Sequence, residues 1–203
     1  MSRIHYPFVG LAGNMVLSWF RRRDPAEAPA RALYAALVRQ ARTPGFYGAG
    51  GVADTWEGRY DMILVHAFLM LERLNLANPP REDLKQALFD VLFEDMRINL
   101  RELGFGDTGV KIRLQRMVDA FYGRMNAYRR GLDGVGDGDL AAALARNLFR
   151  HGEAPADDGA VAAMAAYVRR QWGHLQRQPD AALAAGTVDF APIAPREAAA
   201  HDA

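Results

Sequence analysis

Apolar residues recur along the chain in steps of three and four, the mark of amphipathic helices, and the reading is helical throughout. A first helix is predicted over 26–42, with Leu33, Tyr34, Leu37, Val38 and Ala41 inward, stopping at "TPG". A second runs over 54–76, opened by Asp54 and Glu57 as a capping box and closed by "NPP". A third covers 80–103, with Leu84, Leu88, Val91, Leu92, Met96, Leu100 and Leu103 on one stripe. A fourth covers 108–131, carrying Leu114, Met117, Phe121, Met125 and Tyr128. A fifth is capped by Asp139 and runs to Arg150, and a sixth spans 158–176 with Val161, Met164, Val168, Trp172 and Leu175. The stretch "MILVHAFLML" (62–71) is apolar on every side except at His66, so the second helix should be the buried centre. The expected fold is therefore all-α, a single-domain bundle of about six helices around residues 54–76. Residues 1–24 form a basic, apolar N-terminal segment, 25–178 the helical domain, and 179–203 an Ala/Pro-rich tail. That tail should be loose apart from one short turn.

One string tests this reading. "GFGDTG" (104–109) matches the G-x-G-x-x-G of dinucleotide-binding loops. That motif needs a strand before it, because the glycines bring the phosphates to a strand–helix turn. A helical stripe precedes it here, so Gly104 is expected as a helix C-cap, with Asp107 or Thr108 opening the next helix. No nucleotide cofactor is expected.

Charge changes the picture more than composition does. The net charge is only +1, but residues 1–23 hold four arginines and no acid, and 110–132 hold six basic residues against Asp119 alone. The absence of cysteine excludes disulfides, thiol catalysis and thiolate metal sites. The apolar run before Arg21–Arg23 is too short and too broken by glycine for a bilayer span, and it lacks a signal-peptide cleavage pattern. Residues 15–23 could still form an interfacial helix, and Met15 offers a second start.

Arg59, His66 and Arg73 fall seven apart on one stripe of the second helix. Without an H-x-x-x-H or E-x-x-H companion, His66 reads as a core histidine bonded to a carboxylate or carbonyl rather than a metal ligand. The acidic loop at 133–139 lacks the glutamate that an EF-hand needs at its twelfth position, where Leu144 stands. No nucleophile–base pair or metal set emerges, and no enzyme is expected.

Three stretches, "DTWEGRYDMILVH" (54–66), "LFDVLFEDMRINLRELGFGDTGVKIRLQRM" (88–117) and "AFYGRMNAY" (120–128), carry a resemblance. In order they resemble the ubiquinol–cytochrome c chaperone family pattern D-T-x-x-G-R-x-D, L-F-x-x-x-F-x-D-M, L-R-E-x-G-x-G-D and A-F-Y-G-R. The resemblance covers about residues 30–132, which leaves the last two helices as a possible lineage-specific extension, and "LSWFRRR" (17–23) favours Met15 as the start. It implies a non-enzymatic assembly factor for respiratory complex III, the cytochrome bc1 complex. The implied client is newly made cytochrome b or an assembly intermediate, met at the cytoplasmic face of the membrane. The ribosome and a small partner protein are implied as further partners.

The residues expected to meet a partner are Lys111, Arg113, Arg116, Tyr122 and Arg124 on the fourth helix, with Trp56 and Arg59 as a second place. A different class stays open beside this one. Two helices joined by a short turn, the second basic over 108–131, also fit a helix-turn-helix regulator. The long third helix and near-zero net charge count against specific DNA binding.

Overall fold

The computed structural model describes residues 25–47, 51–134, 138–150 and 157–193. The segment 15–23, expected as an interfacial helix, and the Asp139 side chain lie outside them. Among the described residues seven α-helices follow in order: α1 (Glu27–Ala41), α2 (Trp56–Asn75), α3 (Glu82–Glu102), α4 (Asp107–Asp133), α5 (Gly138–Leu148), α6 (Asp158–Gln176) and a short α7 (Asp180–Ala184). A 3₁₀ turn over Pro44–Phe46 follows α1, and no strand occurs among the described residues beyond one bridge between Tyr47 and Val52.

α2 is the centre. Every residue from Tyr60 to Leu74 is buried, and α1, α3, α4, α5 and α6 all pack on it. A helix apolar on all sides loses most by facing water, so surrounding it is the arrangement that removes the most apolar surface. Its cap differs from the expected one. Thr55 stands at the N-cap and accepts from the Gly58 N–H at 3.1 Å, while Asp54 turns to Arg59 at 2.6 Å. The Thr55 hydroxyl satisfies one of the free N–H groups of the first turn.

The "GFGDTG" string is helix punctuation. Gly104 has φ +86°, its N–H bonds the Arg101 carbonyl at 2.9 Å, and the Phe105 N–H bonds the Leu100 carbonyl at 3.2 Å. This pair of bonds is the Schellman closure of α3, and it requires the left-handed conformation that glycine adopts freely. Gly106, rather than Asp107 or Thr108, is the N-cap of α4.

The tail departs from expectation. Residues 179–193 do not hang loose but pack on α1, α2 and α6. The Arg73 guanidinium, buried on α2, donates to the Leu175 carbonyl (2.9 Å), the Gln178 carbonyl (2.6 Å) and Asp180 (2.5 Å). Gln171 exchanges two hydrogen bonds with the backbone of Ala191, at 2.6 and 2.9 Å, and Gln178 does the same with Asp189, at 2.6 and 3.0 Å. Two amide side chains thus act as a neighbouring strand would, satisfying an extended backbone that has no sheet to join. The boundary expected after residue 178 falls inside this packed body.

Candidate functional site

The polar residues of α2 lie on two stripes, each turned to a different helix. Asp61 and Glu72, eleven residues apart, face α4. Asp61 accepts from the Arg124 guanidinium, and Glu72 is gripped by both nitrogens of the Arg129 fork. The opposite stripe, His66 and Arg73, faces α6 and the tail. His66 is fully buried, with Nδ1 2.8 Å from the Met62 carbonyl and Nε2 2.7 Å from the Tyr167 hydroxyl. A carbonyl only accepts, so Nδ1 carries the proton and Nε2 accepts from Tyr167, whose oxygen in turn accepts from Gln40 at 3.1 Å. Burial pulls the His66 pKa down to about 4, which keeps the ring neutral. The histidine is therefore a core residue bonded to a carbonyl. Arg59, the third member of the sequence stripe, lies at the exposed end of α2 on Asp54 and over the Tyr47 ring, 5.7 Å from its centroid.

This arrangement divides the basic run of α4. Arg124 and Arg129 pin the helix to α2, so Arg124 is withdrawn from the exposed surface on which the sequence placed it. A buried carboxylate needs a partner more than solvent needs an arginine, and Asp61, 1 % exposed, claims Arg124. Lys111, Arg113 and Arg116 remain exposed on the outer face. Lys111 and Arg116 form no ion pair with any described residue, and the Arg113 guanidinium lies over the Phe105 ring, 3.7 Å from its centroid. Tyr122 is half-buried, its ring stacked on Phe89 at 5.9 Å. Trp56 is 44 % exposed and stacks on Tyr60 at 5.7 Å.

The expected residues therefore do not converge on one patch. Trp56 and Arg59 open α2 near the Asp61–Arg124 contact. Lys111 lies about 20 Å from Arg124 along the axis of α4, at about 1.5 Å per residue. The end of the hairpin near Lys111 carries exposed apolar residues. Ile98, Leu103 and Ile112 stand 44 %, 58 % and 49 % exposed at the α3–α4 end. Sequence reasoning passed over Ile98 and Ile112 and set Leu103 on the apolar stripe of α3, where the helix end leaves it exposed instead. Ile112 falls on the face opposite Val110 and Leu114 and so cannot share their core stripe.

The α3–α4 pair is an antiparallel hairpin. Phe89 and Phe93 of α3 touch Phe121 and Tyr122 of α4, and Arg101 meets Asp107 at the turn. Helices in contact over that length run side by side, whereas the helices of a helix-turn-helix cross steeply after a few residues. Between α1 and α3 lies a shallow groove lined by Arg31, Tyr34, Val91, Glu94, Asp95 and Ile98, with the Tyr34 hydroxyl donating to Asp95 at 2.7 Å. Among the described residues no cluster of three metal-ligating side chains forms, and no helix is long and apolar enough to cross a membrane.

Comparison with known proteins places this architecture. The family model for ubiquinol–cytochrome C chaperones matches residues 49–190. α5 and α6 therefore lie inside the matched region, and the idea of a lineage-specific extension beyond about residue 135 is corrected. The crystal structure of the Cbp3 homolog from Brucella abortus is similar, with a TM-score of 0.73 and 37% sequence identity, over 88% of this chain and 97% of that one. No curated protein matches the chain.

Proposed function

We propose, from the premise that this chain belongs to the ubiquinol–cytochrome c chaperone family, that it is a non-enzymatic assembly factor for respiratory complex III. The observation that carries this reading is the family match over residues 49–190, which takes in α2 to α7, joined to a likeness in fold at 37% identity. In this reading the client is newly made cytochrome b or an assembly intermediate, met at the cytoplasmic face of the membrane. A multispanning client exposes apolar helices before its partners arrive, and a transient protein partner keeps them from aggregating. Such work needs a binding surface and no reacting group. The ribosome or a small partner protein would bring the factor to its client.

The surface proposed for these partners is the outer face of α4, where Lys111, Arg113 and Arg116 are free to steer towards negative charge, with Tyr122 at its inner edge. Trp56 and Arg59 form the second place. Reversing Arg113 and Arg116 together to Glu tests the reading in cells. Both are exposed, so helicity and melting should stay near wild type while assembled cytochrome bc1 complex falls. A folded variant that supports normal complex III levels would remove this surface and turn attention to Trp56 and Arg59. Tight, salt-sensitive binding to duplex DNA by the purified protein would favour the regulator instead.

A further inference from the structure

Among the described residues five large apolar side chains stand exposed, and three of them, Ile98, Leu103 and Ile112, lie at the closed end of the α3–α4 hairpin. Scattered single apolar residues are ordinary on a protein surface; Ile98 lines the groove beside α1, whereas Leu103 and Ile112 stand on the two sides of the hairpin turn. The end is bare of cover. A Cβ built on Gly104 or Gly106 would meet nothing within 4 Å. Both glycines belong to the turn itself.

The depth of these side chains is informative. Ile98 precedes the last residue of α3 by about one turn, Leu103 caps it, and Ile112 follows the first residue of α4 by about one and a half turns. At about 1.5 Å per residue, all three lie within about 8 Å of the hairpin end along its axis. Lys111 and Arg113 flank Ile112 on the two sides of the α4 face, and Arg116 follows it one turn on. Of the two acids near the turn, Asp107 is matched by Arg101 at 2.8 Å, leaving Glu102 against Lys111, Arg113 and Arg116. The end of the hairpin therefore carries Leu103 and Ile112 with net positive charge beside and behind them.

We infer that the α3–α4 hairpin end, through Leu103 and Ile112 below and Lys111, Arg113 and Arg116 around them, docks on the surface of a bilayer containing anionic lipid. This rests on the surface assigned under the proposed function and names what it meets. A membrane interface accepts apolar side chains to a depth of about 5–10 Å and attracts Lys and Arg to its phosphates. The groove between α1 and α3 is lined by neither Leu103 nor Ile112, so a helix of another protein settling there would leave both unused. A nucleic acid would use the cations but leave Leu103 and Ile112 unused, and the turn's one aromatic ring, Phe105, is already covered by Arg113. Docked in this way, the hairpin would hold the body of the protein beside a client that itself lies in the membrane.

Co-sedimentation of the full chain with vesicles tests the inference. Phosphatidylcholine vesicles containing phosphatidylglycerol should retain the protein, pure phosphatidylcholine vesicles should not, and added salt should release it. Leu103→Ser with Ile112→Ser, both exposed and outside the core, should lower the partition coefficient at least about tenfold, as should Lys111→Gln with Arg116→Gln. Circular dichroism checks that each variant is folded. Unchanged partition in both double variants would overturn the inference even if residues 1–24 bind lipid on their own. Loss in the lysine–arginine variant alone, with Leu103 and Ile112 indifferent, would mean charge adsorption without apolar insertion, such as any polyanion gives, and overturn it equally. The Arg113→Glu, Arg116→Glu variant reads complex III in cells. Vesicle docking that fails while complex III assembly depends on that face would sink the membrane assignment and leave the chaperone reading standing.

Discussion

Asp61 of α2 and Arg124 of α4 form an ion pair inside the bundle, and Arg150, at the end of the α5 segment, closes on the second carboxylate oxygen at 3.4 Å. Asp61 is the last residue of the "DTWEGRYD" motif and Arg124 the last of "AFYGR". Two motifs separated by more than half a hundred residues are thus two halves of one clasp. At Asp61 and Arg124 the two motifs join α2 to α4, while Trp56, Arg59 and Tyr122 within them stand outside the clasp.

Removing Asp61 takes the carboxylate from the buried Arg124, and removing Arg124 leaves the buried Asp61 without its closest cation and with the longer contact to Arg150. Asp61→Ala and Arg124→Ala should each destabilise the fold by about 3–5 kcal/mol in urea titrations. The double variant Asp61→Leu with Arg124→Met should recover most of that loss, because an apolar pair of similar volume has no charge to desolvate. A double variant as unstable as the sum of the singles would contradict this account.

His66 gives the fold an acid limit. Its pKa is about 4 when folded and about 6.5 in an unfolded chain, so between those values the unfolded state binds the extra proton. The stabilisation from the neutral ring is complete above pH 6.5 and is lost as the pH falls towards 4, by up to about 1.4 kcal/mol per pH unit. Urea midpoints measured across that window should fall with pH. In His66→Gln the slope should flatten, whatever the variant's stability at neutral pH.

Two glycines separate conformational need from close approach. Gly104→Ala meets no neighbour and should cost about 1 kcal/mol, from the left-handed conformation alone. Gly131→Ala would bring its Cβ 2.6 Å from the Leu140 Cα, wedging α4 from α5. Its cost should be about 2–3 kcal/mol despite alanine's better helix propensity. Equal melting shifts for the two would show that the α4–α5 contact yields easily.

The tail should matter to stability. Deleting 179–203 removes the buried Leu183, the Phe190 ring from beside His66 and the Asp180 partner of Arg73. The shortened chain should melt several degrees lower, and Gln171→Leu, which leaves the backbone of Ala191 without its two bonds, should shift melting in the same direction by a smaller amount. A truncated protein with wild-type melting would mean the tail rests on the body without supporting it.

The helices, their approximate limits and the central place of residues 62–71 were legible in the sequence, because spacing of apolar residues in steps of three and four is a local property of one helix. The Gly104 stop was legible for the same reason, since a C-cap glycine answers only to the turn it closes. The chaperone motifs could be read from their order alone. What the chain written in a line could not show was which charges would be taken inward. Arg113 and Arg124 look alike in sequence, and only the approach of Asp61 across 63 positions makes one structural and leaves the other at the surface. The tail was hidden for the same reason: its composition is that of a loose end, and its order comes from Arg73, Gln171 and Gln178, whose bonding partners exist only once α2 and α6 have packed. Periodicity is fixed by the backbone of each helix, whereas the partner of a buried polar group is fixed by distances that arise after the helices meet.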